Sequence, residues 1–204
     1  MAALGGFFIW LGGGNPWVAT FLISLLPVIE LRGAIPFGTD AGLWGARALN
    51  HWQALGVALL GNVVVAAVIL ALLVPVFTLL RKVKFFNRFV QFCEQKFQNK
   101  AEARENRSSF KKLVFVFAFC AIPLPLTGVW SAAGVATFMR LGYWKSLAAV
   151  AAGALASGLV MVGITLLFGQ AALALFYFFC FAAVVILAAF FAVALFKKPT
   201  EKTK

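Results

Sequence analysis

Apolar positions fall in long uncharged runs, without the alternation of barrel strands. Residues 17–29, 52–80 and 113–139 carry no charge, and two more apolar stretches follow at 144–168 and 172–196. A helix needs about 20 apolar residues to cross a bilayer. The run at 52–80 has 29 and is long enough to span with tilt. The first run is not: roughly 13 apolar residues precede Glu30, too few for a crossing. Pro27, Gly33 and Pro36 interrupt regular helix around Glu30 and Arg32. Residues 17–36 therefore read as a hairpin that enters the membrane, breaks and returns.

The run at 113–139 also carries breakers, Pro123-Leu124-Pro125-Leu126-Thr127-Gly128. It fits one span or a second hairpin, and the distribution of charge decides. Net charge is +12, with ten of the eighteen Lys and Arg between Arg81 and Lys112 and four more between Lys197 and Lys204. If 113–139 returns, sixteen of the eighteen basic residues share one side, and the positive-inside tendency favours that arrangement. Residues 144–168 and 172–196 are then ordinary spans, and the C-terminus and residues 81–112 are cytoplasmic. The expected fold is an all-α integral membrane protein with two opposed units. Each is a re-entrant hairpin plus a transmembrane helix, 17–36 with 52–80 (repeat 1, 17–80) and 113–139 with 144–168 (repeat 2, 113–168). A C-terminal transmembrane helix at 172–196 completes a single membrane domain.

The two units share further features. Trp52 is followed nine residues later by Gly61, and Trp144 nine residues later by Gly153. Inverted repeats of broken helices that meet at the midplane are the plan of many secondary transporters. Ala149, Gly153 and Ser157 lie four apart and make a small-residue stripe that permits close helix approach. Phe86, Phe89, Val90, Cys93 and Phe97 give 81–112 one apolar helix face, suited to an anionic membrane surface or to the protein's own base. Residues 1–16 read as a short apolar piece at the interface, 37–51 as a loop, and no cleaved signal peptide is expected.

Composition narrows the function. Hydrophobic residues make up 63% of the chain and the mean hydropathy is +0.98, which excludes an ordinary soluble domain. The positive charge is a topology signal, not a nucleic-acid footprint. Cys93, Cys120 and Cys180 fit neither a metal spacing nor a disulfide framework, and His51 stands alone. The apolar segments hold one carboxylate and no nucleophile–base pairing, so no enzyme, metal site or cofactor is expected. Glu30 and Arg32 remain. A charge at mid-bilayer costs about 2.5–3.5 kcal/mol on insertion scales, so such residues pair and usually have a job.

At the two broken segments the chain resembles a known family. Glu30-Leu31-Arg32-Gly33-Ala34-Ile35-Pro36, then Gly61-Asn62, then Ile122-Pro123-Leu124-Pro125-Leu126-Thr127-Gly128-Val129-Trp130 are similar to the small multidrug export proteins of bacteria and archaea. That family is itself similar to the DedA/VTT superfamily, whose members carry two opposed re-entrant hairpins. The resemblance covers about residues 17–168. It implies the inner (cytoplasmic) membrane of a prokaryote. Several DedA relatives are implicated in moving lipid-linked phosphates such as undecaprenyl phosphate. DedA proteins usually carry arginines in the second hairpin, and this chain has none between Lys112 and Arg140, which leaves Arg32 to serve.

The leading expectation is thus a small secondary transporter or flippase for an anionic amphiphile, a lipid phosphate. Arg32 would grip the phosphate, and backbone N–H groups from Thr127 to Trp130 would add donors. Glu30 would couple protons. Gly33, Pro36, Pro123, Pro125, Gly128 and Trp130 complete the expected substrate and proton-coupling set. The alternatives are a proton-coupled exporter of lipophilic cations and a non-transporting membrane scaffold. Expected partners are membrane lipids, the lipid phosphate or lipophilic substrate, and protons, with no nucleic acid; a homo-oligomer is left open. Glu30 and Arg32 are two apart, so a broken or extended backbone is expected to turn both toward one cavity.

Overall fold

A computed structural model of the chain describes residues 2–80, 105–123 and 127–169, together with 171, 174 and 178. Among these residues all regular structure is helical, with no strand. The first four helices are α1 (Ala2–Leu11), α2 (Pro16–Ser24), α3 (Glu30–Gly38) and α4 (Ala41–Trp44), the last followed by a 3-10 turn at Gly45–Arg47. The long α5 (His51–Leu80) comes next, then α6 (Glu105–Ala121), α7 (Val129–Phe138) and α8 (Tyr143–Phe168). Most of the basic segment (81–104), the tip residues 124–126 with Pro125, and nearly all of the expected C-terminal span 172–196 lie outside the described residues.

Two helices, within α5 at His51–Leu73 and α8 at Tyr143–Phe168, are long and apolar enough to cross a membrane. They pack against each other and run antiparallel. Gly158 meets Leu55 near one end, and the Tyr143 hydroxyl donates to the Ala67 carbonyl at 3.3 Å near the other. No β-carbon intervenes at 158, so the Leu55 side chain can lie against the α8 backbone. α8 ends at Gly169, whose φ of +53° is open to glycine and unfavourable for other residues.

Between and beside these helices lie two helix–break–helix pairs, α2–α3 and α6–α7. Local signals start and stop them. The Asn15 side chain accepts from the Trp17 N–H at 3.0 Å, and Pro16 occupies the first helical position, where its missing N–H costs nothing. α2 and α3 have nine residues each, about 13 Å of helix, under half a bilayer's hydrocarbon thickness. α7, with ten, is equally short.

The two pairs dock on the long helices through the same device. At Gly61 of α5 a β-carbon would lie 3.2 Å from the Phe21 carbonyl of α2 and would collide with the Ser24 hydroxyl. At Gly153 of α8 it would lie 2.7 Å from the Phe117 carbonyl of α6 and 2.7 Å from the Cys120 β-carbon. Each glycine thus seats the last turn of a first half-helix, on residues spaced three apart. The stripe Ala149, Gly153 and Ser157 includes this seat.

Several expected boundaries move. The first broken segment is 16–38, with Gly33 and Pro36 inside α3 rather than in the break, which is 25–29. Pro36 is tolerated because only two helical residues follow it, and the Thr39 hydroxyl donates to the Ile35 and Pro36 carbonyls of that last turn. The second begins at Glu105, so residues 105–112 of the basic stretch already belong to α6. The expected loop 37–51 contains α4, capped by the Asp40 carboxylate, which accepts from the Gly42 N–H at 2.8 Å. Residues 2–11 form α1, with Trp10 and Leu11 exposed.

Candidate functional site

Glu30 and Arg32 lie at the start of α3, with only 3% and 2% of their surfaces exposed. Both lie in α3, and the backbone, expected to be broken or extended, is broken at Glu30 and not extended. Their common direction comes from the approach to the helix. Val28 and Glu30 have φ of +77° and +50°, left-handed values at non-glycine residues. Such backbone costs on the order of 1–3 kcal/mol per residue and persists only where the surroundings enforce it. At Glu30 the surroundings include the second break, which the Glu30 and Arg32 side chains both reach.

The Glu30 carboxylate accepts from the Val129 N–H at 3.1 Å and the Trp130 N–H at 3.4 Å, the first donors of α7. Gly128, just before them, touches the carboxylate so closely that any β-carbon there would overlap it. Arg32 faces the other side of the same break. Its Nη2 donates to the Cys120 carbonyl at 3.2 Å and the Ile122 carbonyl at 3.0 Å, at the end of α6. Its Nε donates to the Ser157 hydroxyl of α8 at 3.2 Å. A negative group thus sits at a helix N-terminus and a positive group at a helix C-terminus, where the helix dipoles favour each by up to ~2 kcal/mol when partly buried. The direct ion pair is the looser contact, with Arg32 Nη1 3.9 Å from the carboxylate. The backbone contacts at 3.0–3.2 Å hold the pair in place, and the mutual charge balance makes its burial tolerable.

Other expected site residues fall around this core in unequal ways. Trp130 contributes its N–H, while its side chain is 40% exposed. The Thr127 hydroxyl donates to the Ile122 carbonyl at 2.9 Å, a bond that helps close the break. Pro123 sits at the start of the break. Gly33 is buried within α3, and Pro36 lines a separate cavity at the far end of that helix.

Two contributors had no sequence signal as site residues. Ser157 reads as one member of a small stripe, and the carbonyls of Cys120 and Ile122 belong to backbone. Asn62 is 1% exposed, and neither its amide nitrogen nor its amide oxygen has a partner. It lies in the apolar span of α5 beside Gly61.

A buried charge pair that stitches two broken helix pairs together, beside two helices long and apolar enough to cross a bilayer, is the pattern of a helical membrane protein. The matching family model bears the description "Putative small multi-drug export protein"; it covers residues 30–160, more than half of the chain, and the chain belongs to that family. No characterised protein and no solved structure matches it.

Proposed function

We propose that the protein is a proton-coupled exporter of small lipophilic cations, with Glu30 as the proton-responsive latch between its two broken helix pairs. The observation that carries this reading is the Glu30 carboxylate bound to the first N–H groups of α7. Protonation would remove the charge that α7 and Arg32 hold, loosen the first pair from the second, and reset when the proton leaves. The family description supports export. Asn62 adds an unsatisfied amide that a passing polar group or water would satisfy. The glycine seats at 61 and 153 support the inverted-repeat plan of two re-entrant hairpins, the arrangement also implied by the DedA likeness. Charge bias supports residues 81–112 and the C-terminus on the cytoplasmic side of a prokaryotic inner membrane.

A second reading is movement of an anionic amphiphile such as a lipid phosphate. It has one observation in its favour: Arg32 and two backbone N–H groups converge on a carboxylate that an incoming anion could displace. Against it, Arg32 donates to the Ser157 hydroxyl and to the Cys120 and Ile122 carbonyls, so an incoming anion must compete with three bonds to the protein.

Reconstituted liposomes separate the readings. With an imposed pH gradient, wild-type protein is expected to move ethidium, and Glu30→Gln to fold but lose the proton-driven component. Gln keeps the shape and one oxygen for one of the two N–H groups, which bond separate carboxylate oxygens, and loses the second acceptor, the charge facing Arg32 and the titration. Transport of a lipid phosphate without ethidium movement would select the second reading. Unchanged ethidium transport in Glu30→Gln would remove Glu30 from the mechanism.

A further inference from the structure

The far end of α3 carries a feature that the Glu30 site does not use. A cavity of about 250 Å³ is lined by Pro36, Thr39, Asp40, Ala41, His51 and Thr165, together with Leu166 and Gly169 at the end of α8. It lies about 12 Å along α3 from Glu30, eight residues at 1.5 Å each. Its walls mix the Asp40 carboxylate, the His51 ring and two threonines with apolar side chains. Asp40 spends one oxygen on the Gly42 N–H, and a carboxylate can accept at both oxygens. The residues that end α3 and α8, Thr39 and Gly169, both border the space, so two helix C-termini bring their negative poles to it. α4 opens at Ala41 and α5 at His51 with the opposite pole, so the helix ends balance and the Asp40 carboxylate is the one full negative charge in the lining.

We infer that this cavity binds the cationic head of a small organic ammonium. The electrostatics select a cation. Size and lining select an organic one, because 250 Å³ with Pro36, Ala41 and Leu166 in the wall is far larger than a metal ion needs. Among the described residues no group of three His, Cys, Asp or Glu is placed to hold a metal. The volume is also below the ~300–1,000 Å³ of sites that enclose a whole drug-sized ligand. The head group enters and the apolar remainder stays outside, against exposed Leu166. The inference gives the proposed export path a second station and rests on that reading only for its direction. Binding itself does not depend on Glu30.

The test is a calorimetric titration of the full chain, in detergent, with tetraethylammonium chloride. Asp40→Asn keeps the cap on Gly42, since asparagine caps as well as aspartate, and removes only the charge. Ala41→Leu narrows the cavity and leaves the charge. Wild-type binding that falls tenfold or more in both variants, and persists in Glu30→Gln, is the expected result. No binding to the wild type, or equal binding to wild type and Asp40→Asn, overturns the inference. Displacement of the probe by sodium at equal concentration overturns it too, in favour of an inorganic ion. A second arm compares nanodiscs of phosphatidylglycerol with discs containing phosphatidylethanolamine. Weaker probe binding in the latter assigns the site to a lipid head group, and equal binding assigns it to a free amine. Loss of transport in Glu30→Gln with ammonium binding intact keeps the two proposals separately testable.

Discussion

The two helix breaks solve the same problem by opposite means. Each leaves helix ends with unpaired backbone groups inside an apolar protein, where every such group costs free energy. The first break, at 25–29, is closed by its own chain. Leu25 and Leu26 donate back to Leu22 and Ile23, and Glu30 and Gly33 donate to Leu26 and Ile29. It accomplishes this with strained backbone at Val28 and Glu30. The second break, at 122–128, is closed in part by borrowed groups: Glu30 serves its donors, Arg32 its acceptors. The start of α3, just after the first break, therefore carries both charges, and the second break carries none. A sequence that puts a Glu–Arg pair in one apolar segment and a bare proline-rich stretch in the other is describing two halves of one joint.

Removing Arg32 should break that joint most completely. Arg32→Ala leaves two carbonyls at the end of α6 and the Glu30 carboxylate without their cation. Loss of one partner of a buried pair costs about 3–5 kcal/mol, so little folded protein should be extracted from membranes. Arg32→Lys keeps the charge but cannot reach both carbonyls and Ser157 together, and should fall between. If Arg32→Ala unfolds at the same denaturant concentration as wild type, the second break does not depend on the first.

Half of this joint was legible in the sequence. Two charges in an apolar run, flanked by proline and glycine, mark a break that must pair its charges on cost alone. The proline-rich string 123–128 marks the second break in the same way. The N–H groups at 127–130 were expected as donors to a phosphate, whereas two of them serve Glu30, and the carbonyl partners of Arg32 were not legible because backbone carbonyls leave no residue-specific signal. The left-handed turn at Val28 was equally hidden, since β-branched residues disfavour it and the sequence offers glycine only later, at Gly33. The helix at 41–44 could have been found: Asp40 before Ala-Gly-Leu-Trp is an N-cap pattern. Ser157 was concealed by its alanine-rich helix, where it reads as packing.

The glycine seats sharpen the comparison at the level of packing. At Gly153 the obstructing atoms are the Phe117 carbonyl and the Cys120 β-carbon, neither of which can rotate away. At Gly61 the nearest obstruction is the Ser24 hydroxyl, which can turn aside once it gives up its 2.6 Å bond to the Phe21 carbonyl. Gly153→Ala should thus cost about 1–3 kcal/mol, in the range of overpacked cores. Gly61→Ala should cost about 1 kcal/mol, the worth of one hydrogen bond, and Ser24→Ala in the same chain should relieve its steric part. Equal losses at the two glycines, measured by denaturation in detergent, would mean that the seats differ less than their atoms suggest.

The smallest expected effect isolates one strand of the joint. Ser157→Ala keeps the side chain small, so the seat of α6 on α8 is unchanged. What is lost is the bond from Arg32 Nε, at 3.2 Å. Side-chain hydrogen bonds within membrane proteins average about 0.6 kcal/mol in double-mutant cycles, because the unfolded chain also finds partners there. A bond from a guanidinium belongs above that mean, since charged donors bond more strongly. Ser157→Ala should therefore shift the unfolding midpoint slightly in the wild-type background. In Arg32→Lys the Nε donor is absent, and the same substitution should then cost nothing further. A loss of equal size in both backgrounds would show that Ser157 acts through packing, and that Arg32 is held by the second break alone.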